Sequence, residues 1–522
     1  MKDKIEFLDT TLRDGAQAVG MSFSHCDKSS ILNLLDGFGI DLIECGVANP
    51  KDREFLDSVK NPKLVAFGAT RRKNCSAKDD EALKQLIAAD TETVCIFGKS
   101  GAKQAKYVLG VSADENLTII KDSVEFLAGN GRRVIFDAEH FFDAYEEDKD
   151  YALSVLRSAI ESGADTVVLC DTNGGTMPHI VYATVKEVIS ALPENVKVGI
   201  HSHDDCGLAA ACALMAAEAG ARHVQGTFLG FGERCGNANL STVILDLELK
   251  MDISTGCKIN KSTETARQIA EIANIRLEGS MPYVGSHAFA HKAGMHVDAV
   301  LKDASAFEHV PPETVGNEHR LILSDVSGRS AVLSKLERMF PDLDKSDPRT
   351  ARILKRVKEL EKDGFLFDTA DASFALLAKR MLGTYEPSFE ILSYTISERH
   401  PQGESIAEVT IQAGDVKTSV TQSGNGPVNA LDKALREALI INYPEIADIT
   451  LADYKVRVID FASATGAMVR VLITSTDGKE SWTTVGVSTD VIEASKVALQ
   501  DSFEYKLHTL HTLRTLRTLR VF

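Results

Sequence analysis

The chain lacks any CxxC pair, and its nine cysteines are odd in number and scattered. That usage offers neither a disulfide framework nor a cysteine zinc site, and it fits reduced thiols in a cytoplasm. No apolar run approaches the length of a membrane helix, about 18 residues, and the opening MKDKIEFLDTT has no apolar signal core. The expected location is therefore cytoplasmic, with no membrane partner. Positive charge is also short: 58 Lys and Arg stand against 75 Asp and Glu, a formal net charge of −17. This balance argues against nucleic acid as a partner, while a few local Lys and Arg could still hold a phosphate or CoA. What is present is ordinary for globular protein, 44% hydrophobic and 25% charged residues, but 522 residues exceed one ordinary domain.

Residues 1 to about 252 alternate strand and helix signals. Short apolar runs predict strands at residues 5–10, 41–46, 64–70, 93–99, 133–139, 165–172, 197–203 and 223–230. Helical patterns such as SSILNLLDGF, DEALKQLIAA and the Ala-rich LAAACALMAAEAG lie between them, and NLSTVILDLELK follows the eighth. Eight such units predict an α/β fold, a (β/α)8 TIM barrel. An open doubly wound sheet is the alternative, and the number of units favours closure.

In a barrel of this kind the chemistry sits at the C-terminal strand ends. Polar residues collect there: Arg13-Asp14-Gly15 after strand one, Asp137 to His140 at strand five, and Asp171 to Gly175 at strand six. Strand seven ends in His201-Ser202-His203-Asp204-Asp205, and Gly230 to Asn237 follows strand eight. Helix caps and turns explain any one of these ends, but not readily all five. His201 and His203, two apart on a strand, present both imidazoles on one face. With Asp14 they form a mixed nitrogen and oxygen ligand set with open positions, suited to Zn, Mn or Mg. Asn237 would add an oxygen, Arg13 would stabilise a developing oxyanion, and Glu139 is an acid/base candidate or a group that orients one. The loop 230–236 reads GxGxxxG, which is not the dinucleotide fingerprint. A tight turn and a phosphate contact both remain open for it.

The run LDTTLRDGAQ (8–17), with HSHDDCG (201–207) and GERCGNANL (232–240), resembles the three signatures of a family of metal-dependent acyltransferases. That family comprises the isopropylmalate, homocitrate and citramalate synthases. FDAEHFFDAY (136–145), VVLCDTNGGTMP (167–178) and AKRMLGTYEPSFE (378–390) look most like its long-form citramalate branch, and the likeness spans residues 4–507. The resemblance implies a divalent metal on Asp14, His201, His203 and Asn237. It also implies that Arg13 and Glu139 serve the 2-oxo acid and the condensation, and Thr172 is expected to contact substrate. The implied reaction joins acetyl-CoA to pyruvate, giving citramalate and CoA on the way to isoleucine. The alternatives are a sister synthase taking 2-oxoisovalerate or 2-oxoglutarate, a cleavage enzyme resembling an aldolase or HMG-CoA lyase, and a non-catalytic metabolite-binding regulator. No obvious extra Arg cluster marks a site for a second substrate carboxylate.

Beyond the barrel, assigned to residues 1–275, residues 276–388 read as helical linker subdomains. HKAGMHVDA (291–299) resembles the family segment that reaches over a neighbouring subunit's barrel, which makes His296 the expected participant in proton transfer. The family commonly has Tyr where this chain has Phe307, so a hydroxyl that could donate a proton or orient water is missing. TARILKRVKELEKDG reads as a solvated connector helix. Residues 389–507 switch to alternating strands and then a helix, twice over, predicting an α+β domain of two similar halves. By resemblance this is a regulatory and dimerisation domain, so a homodimer and an amino-acid effector are expected. Residues 508–522, HTLHTLRTLRTLRVF, read as a frayed low-complexity tail.

Overall fold

The computed structural model describes residues 4–46, 50–291, 299–300, 302–321, 336, 340, 343, 347–399, 401, 403–459 and 466–519. They divide into two compact units, residues 1–289 with 310–319, and residues 290–309 with 320–522.

In the first unit eight strands close into a barrel in sequence order: β1 (Glu6–Asp9), β2 (Leu42–Gly46), β3 (Leu64–Ala69), β4 (Thr93–Lys99), β5 (Arg133–Glu139), β6 (Ala164–Asp171), β7 (Lys197–Ser202) and β8 (His223–Gly226). All neighbours are parallel, and β8 returns to β1 through Phe7 opposite Val224 and Leu8 opposite Gln225. That last pairing excludes the open doubly wound sheet. The helices form for local reasons as well as packing. Helix His25–Phe38 starts with a capping box, in which the Ser24 hydroxyl accepts from the Asp27 amide and the Asp27 carboxylate from the Ser24 amide. It ends at Gly39, whose φ of 109° suits glycine. The outer strand faces, with Phe7, Ile43, Ile96, Phe136 and Ile200, pack on buried helix residues such as Leu35, Ile120 and Val185.

Strand alternation divides the inner face into layers. An apolar layer of Leu8, Leu42, Val65, Cys95, Ile135 and Val168 fills the middle. Below it lies a polar layer centred on Glu6. Arg133 donates two hydrogen bonds to Glu6, at 3.0 and 2.8 Å; His223 Nδ1 lies 2.9 Å from it and Lys197 3.2 Å. A Cβ on Gly199 would stand 2.8 Å from the His223 ring, so glycine makes the space for that imidazole. Burial alone would raise the Glu6 pKa, but the bonds from His223 and Arg133 outweigh it and hold the carboxyl well below the usual range.

Most strand ends lie within one residue of expectation, as in β1, which covers 6–9 rather than 5–10, but β8 stops at Gly226 instead of reaching 230. The Thr227 hydroxyl donates to the Phe231 carbonyl at 2.7 Å, and Gly230 takes a φ of 78°, so TFLG forms a turn.

In the second unit β9 (Ala290–His291) pairs with β10 (Arg320–Leu321). β11 (Glu390–Arg399), β12 (Glu404–Ala413) and β13 (Val416–Gly424) form an antiparallel sheet followed by helix Pro427–Ile440. β14 (Thr450–Val458), β15 (Val469–Thr476) and β16 (Ser481–Ser488) repeat the arrangement, followed by helix Val491–Leu519. The halves match even in their irregularities, with a register shift between Ile391 and Ser393 and another between Leu451 and Asp453. Each half is thus three strands and a helix, where the sequence showed only two strands in the second. TLADYKVRV was missed because its residues are largely exposed and carry no buried alternating stripe. The connector helix Pro348–Lys362 is not fully solvated, since Ile353 and Val357 join a buried cluster with Phe367 and Phe374. The tail expected to fray instead continues helix Val491–Leu519.

Replacing Glu6 by Gln removes the charge that three basic groups share. It should cost about 1.5–3 kcal/mol at neutral pH, the worth of hydrogen bonds to a charged group, read from chemical denaturation. Because the folded pKa is depressed, this stability is fully present above the unfolded carboxyl pKa, and the gap between variant and wild type should narrow progressively as pH falls from about 4 towards the folded pKa.

Candidate active site at the barrel mouth

Asp14, His201, His203 and Asn237 meet at the C-terminal mouth, all buried. β7 carries His201 on its inner face. One step past the strand, His203 forms an isolated antiparallel bridge with Asn237, which brings the strand-eight loop over the site. Asp14 is delivered by a tight turn after β1, in which the Arg13 and Gly15 amides both donate to the Thr10 carbonyl at 3.1 Å. The Nε2 atoms of the two histidines stand 3.4 Å apart, and Asp14 Oδ2 lies 3.4 Å from that of His201 and 4.0 Å from that of His203.

Asp14 Oδ1, Asn237 Oδ1 and His203 Nδ1 are buried with no hydrogen-bond partner among the described residues. Facing lone pairs beside a carboxylate, with orphaned oxygens close by, fit a divalent cation. Asn237 departs from expectation in one respect. Its amide nitrogen, not its oxygen, faces the cluster, donating to Asp14 Oδ2 at 3.1 Å. An oxygen ligand there requires the amide to turn over, exchanging its bond to Asp14 for one to the ion. Burial would raise the Asp14 pKa, but Arg13 and the two histidines outweigh it and keep the group ionised. Burial and the adjacent His201 push His203 down to about 4, so this imidazole is neutral at physiological pH, as a ligand must be.

Arg13 is held on three sides. Its Nε donates to Glu44 at 2.5 Å, its Nη1 lies 3.4 Å from Asp14, and its guanidinium stacks 3.8 Å over the Phe67 ring. Phe67 in turn stacks on Phe97. Glu44, Cys95 and Asp137 form a second compact set of would-be ligands. Burial drives the Cys95 thiol far up, which leaves it protonated, and Arg13 already supplies the cation beside Glu44. This second set is therefore the support for Arg13 rather than a metal site.

Glu139 is ion-paired with Lys99, with His140 Nε2 at 4.0 Å from its other oxygen. The Thr172 hydroxyl accepts from the His140 amide at 2.8 Å, which leaves its own proton for another acceptor. Arg234 clamps three loops together, with two bonds to Asp205 and one to the Thr172 carbonyl, each 2.8 Å. His296 lies outside the described residues. Phe307 caps the 3-10 turn Ala304–Ala306 and is 46% exposed.

The loop 230–236 proves to be packing chemistry. A Cβ on Gly232 would meet Asn237 Oδ1 at 2.0 Å, and one on Gly236 would meet the Gly230 carbonyl at 2.1 Å. Glycine lets this loop close around Asn237, so the tight-turn reading holds. Sequence reasoning overlooked Glu44, Phe67, Lys99 and Gln225. The available signal was a lone charge or amide inside an apolar strand, as in LIECG.

A closed barrel with this donor set at its mouth first defines a class. The family model described as HMGL-like matches residues 4–269. A homocitrate synthase post-HMGL domain-like model matches 283–364, and a LeuA allosteric (dimerisation) domain matches 368–507. An (R)-citramalate synthase of Aquifex aeolicus is 47% identical over 520 residues, covering 97% of this chain and 98% of its own. One of Sulfolobus acidocaldarius is 44% identical over 515 residues, 97% of both chains. A probable 2-isopropylmalate synthase of Methanopyrus kandleri is 33% identical over 506 residues, 95% of this chain and 97% of its own. The chain belongs to the isopropylmalate, homocitrate and citramalate synthase family and is an acyltransferase of the citramalate branch.

Replacing Gly232 by Ala should displace Asn237 and weaken divalent-ion binding in calorimetric titration. Gly175→Ala, with open space around its Cβ, should leave that binding unchanged.

Proposed function

We propose that the protein condenses acetyl-CoA with pyruvate, giving citramalate and free CoA. One observation carries the reading: a cation-binding set of Asp14, His201, His203 and Asn237 beside an arginine fixed by Glu44 and Phe67. These four residues would hold a divalent ion (Mg, Mn or Zn), which supplies Lewis-acid polarisation of the 2-oxo carbonyl. Arg13 holds the oxygen of that carbonyl as negative charge develops on it, and Glu44 and Phe67 keep the guanidinium from following the ligand out of place. A base takes a proton from the acetyl methyl, a step worth about 10²–10⁴-fold, and the resulting carbon attacks C2 of pyruvate. His296 is the assigned proton carrier. Glu139, tied to Lys99, orients the acid/base group, and Thr172 donates its hydroxyl proton to substrate. Protonation of the new alkoxide gives the alcohol. Water then cleaves the thioester, releasing CoA as a thiol and leaving a carboxylate, which makes the sequence irreversible.

The mouth also bears on the size of the 2-oxo acid. Arg13, Lys99 and Arg234 are each engaged by a carboxylate, Glu44, Glu139 and Asp205. This arrangement disfavours a substrate with a second carboxylate, such as 2-oxoglutarate. We assign the catalytic barrel to residues 1–275, the linker subdomains to 276–388 and a regulatory, dimerising domain to 389–507, acting as a homodimer. An amino acid is the expected effector, isoleucine being the end product that citramalate would feed. Among the described residues no helix is long and apolar enough to cross a membrane, consistent with work in the cytoplasm.

A CoA-release assay with a panel of 2-oxo acids tests the reading. Release with pyruvate that EDTA abolishes and added metal restores is expected; no release with any acid would overturn the reading, and preference for a larger acid would move the substrate. Arg13→Lys keeps the charge but loses the fork that spans Glu44 and Asp14. It should lower kcat by roughly 10²–10³-fold with intact metal binding.

A further inference from the structure

We infer that Gln225 is a positioning residue for the metal site, the last link in a polar column that fixes which nitrogen of His201 faces the ion. The inference rests on the metal reading above. Gln225 is fully buried on the inner face of β8, and neither it nor His223 belongs to the ligand set. The proton positions follow step by step from the bottom of the barrel. Glu6, as a carboxylate, only accepts, so His223 Nδ1, 2.9 Å away, carries the proton. The Nε2 of that ring faces Gln225, whose amide nitrogen lies 3.4 Å from it. The same nitrogen donates to Asp137 Oδ1 at 2.8 Å. Held by that bond, the Gln225 amide cannot turn over without setting its oxygen against a carboxylate. Its oxygen therefore accepts, and His201 Nδ1, 3.0 Å away, must carry a proton. His201 Nε2 is left with its lone pair directed at Asp14 and His203.

The column thus does for His201 what a hydrogen-bonded partner does for a metal-binding imidazole: it selects the tautomer and holds the ring plane. Gln225 suits the position because Asp137 already supplies a carboxylate. A second carboxylate at 225 would face the first.

The test is Mn2+ affinity of the full-length protein, measured by titration without substrate, together with the melting temperature of the metal-free form. Gln225→Leu keeps the volume and removes all three polar contacts, and it should weaken Mn2+ binding by about 10–100-fold. Gln225→Glu alone should lower the melting temperature by opposing Asp137. Combining Gln225→Glu with Asp137→Asn exchanges amide and carboxylate and rebuilds an acceptor for His201. That double variant should return both quantities to within a few-fold and a few degrees of wild type. Unchanged Mn2+ affinity in a folded Gln225→Leu protein, or a double variant no better than the worse single one, would overturn the inference. A wild-type protein that binds no Mn2+ would instead remove the metal reading beneath it.

Discussion

The mouth of the barrel gathers groups that repel or desolvate one another unless a cation is shared among them. Two imidazoles meet nitrogen to nitrogen, a buried carboxylate lies against both, and an asparagine closes the fourth side. Such a cluster is unfavourable to bury unless its charges and lone pairs are matched. Much of the surrounding structure serves that match. Arg13 offsets one face of Asp14, Glu44 and Phe67 hold Arg13, and the polar column through Gln225 and His223 orients His201. The glycines at 232 and 236 exist so that the loop bearing Asn237 can come close enough. The apolar layer below keeps water out, which strengthens each of these interactions.

The arrangement explains why charge is conspicuous in so apolar an interior. An arginine in a barrel is costly unless both its charge and its planar surface are met, and here a carboxylate meets the first and an aromatic ring the second. The same logic recurs at the bottom, where Glu6 balances Arg133, Lys197 and His223. Two ion clusters, one at each end of the strands, are connected by the single amide of Gln225.

Much of the fold and of the candidate site was legible because the barrel writes its periodicity into the chain. Parallel strands buried on both faces are continuous apolar runs, and the polar residues that interrupt them at their C-terminal ends mark the mouth. Asp14, His201, His203 and Asn237 stood out for that reason. Glu44 and Gln225 did not, because each sits within a strand, where one polar residue has no local signal of its partner across the barrel. Arg13 was read as free to meet an oxyanion, whereas its restraint by Glu44 depends on a contact 31 residues away in sequence. β14 was overlooked although Tyr454, Val456 and Val458 alternate with Lys455 and Arg457, and that short stripe lies on a largely exposed strand. Asn237 was identified, but the direction of its amide is set by Asp14 and the packing of Gly232, which no spacing reveals.

The central claim is that one divalent ion sits among Asp14, His201 and His203. The most direct measurement is anomalous scattering from crystals of the full-length protein grown with Mn2+ and pyruvate. A single anomalous peak at about 2.0–2.2 Å from the Nε2 atoms of His201 and His203 and from an oxygen of Asp14 is the predicted result. A peak beside Glu44, Cys95 and Asp137 instead, or no peak at the mouth at saturating Mn2+, would contradict the account.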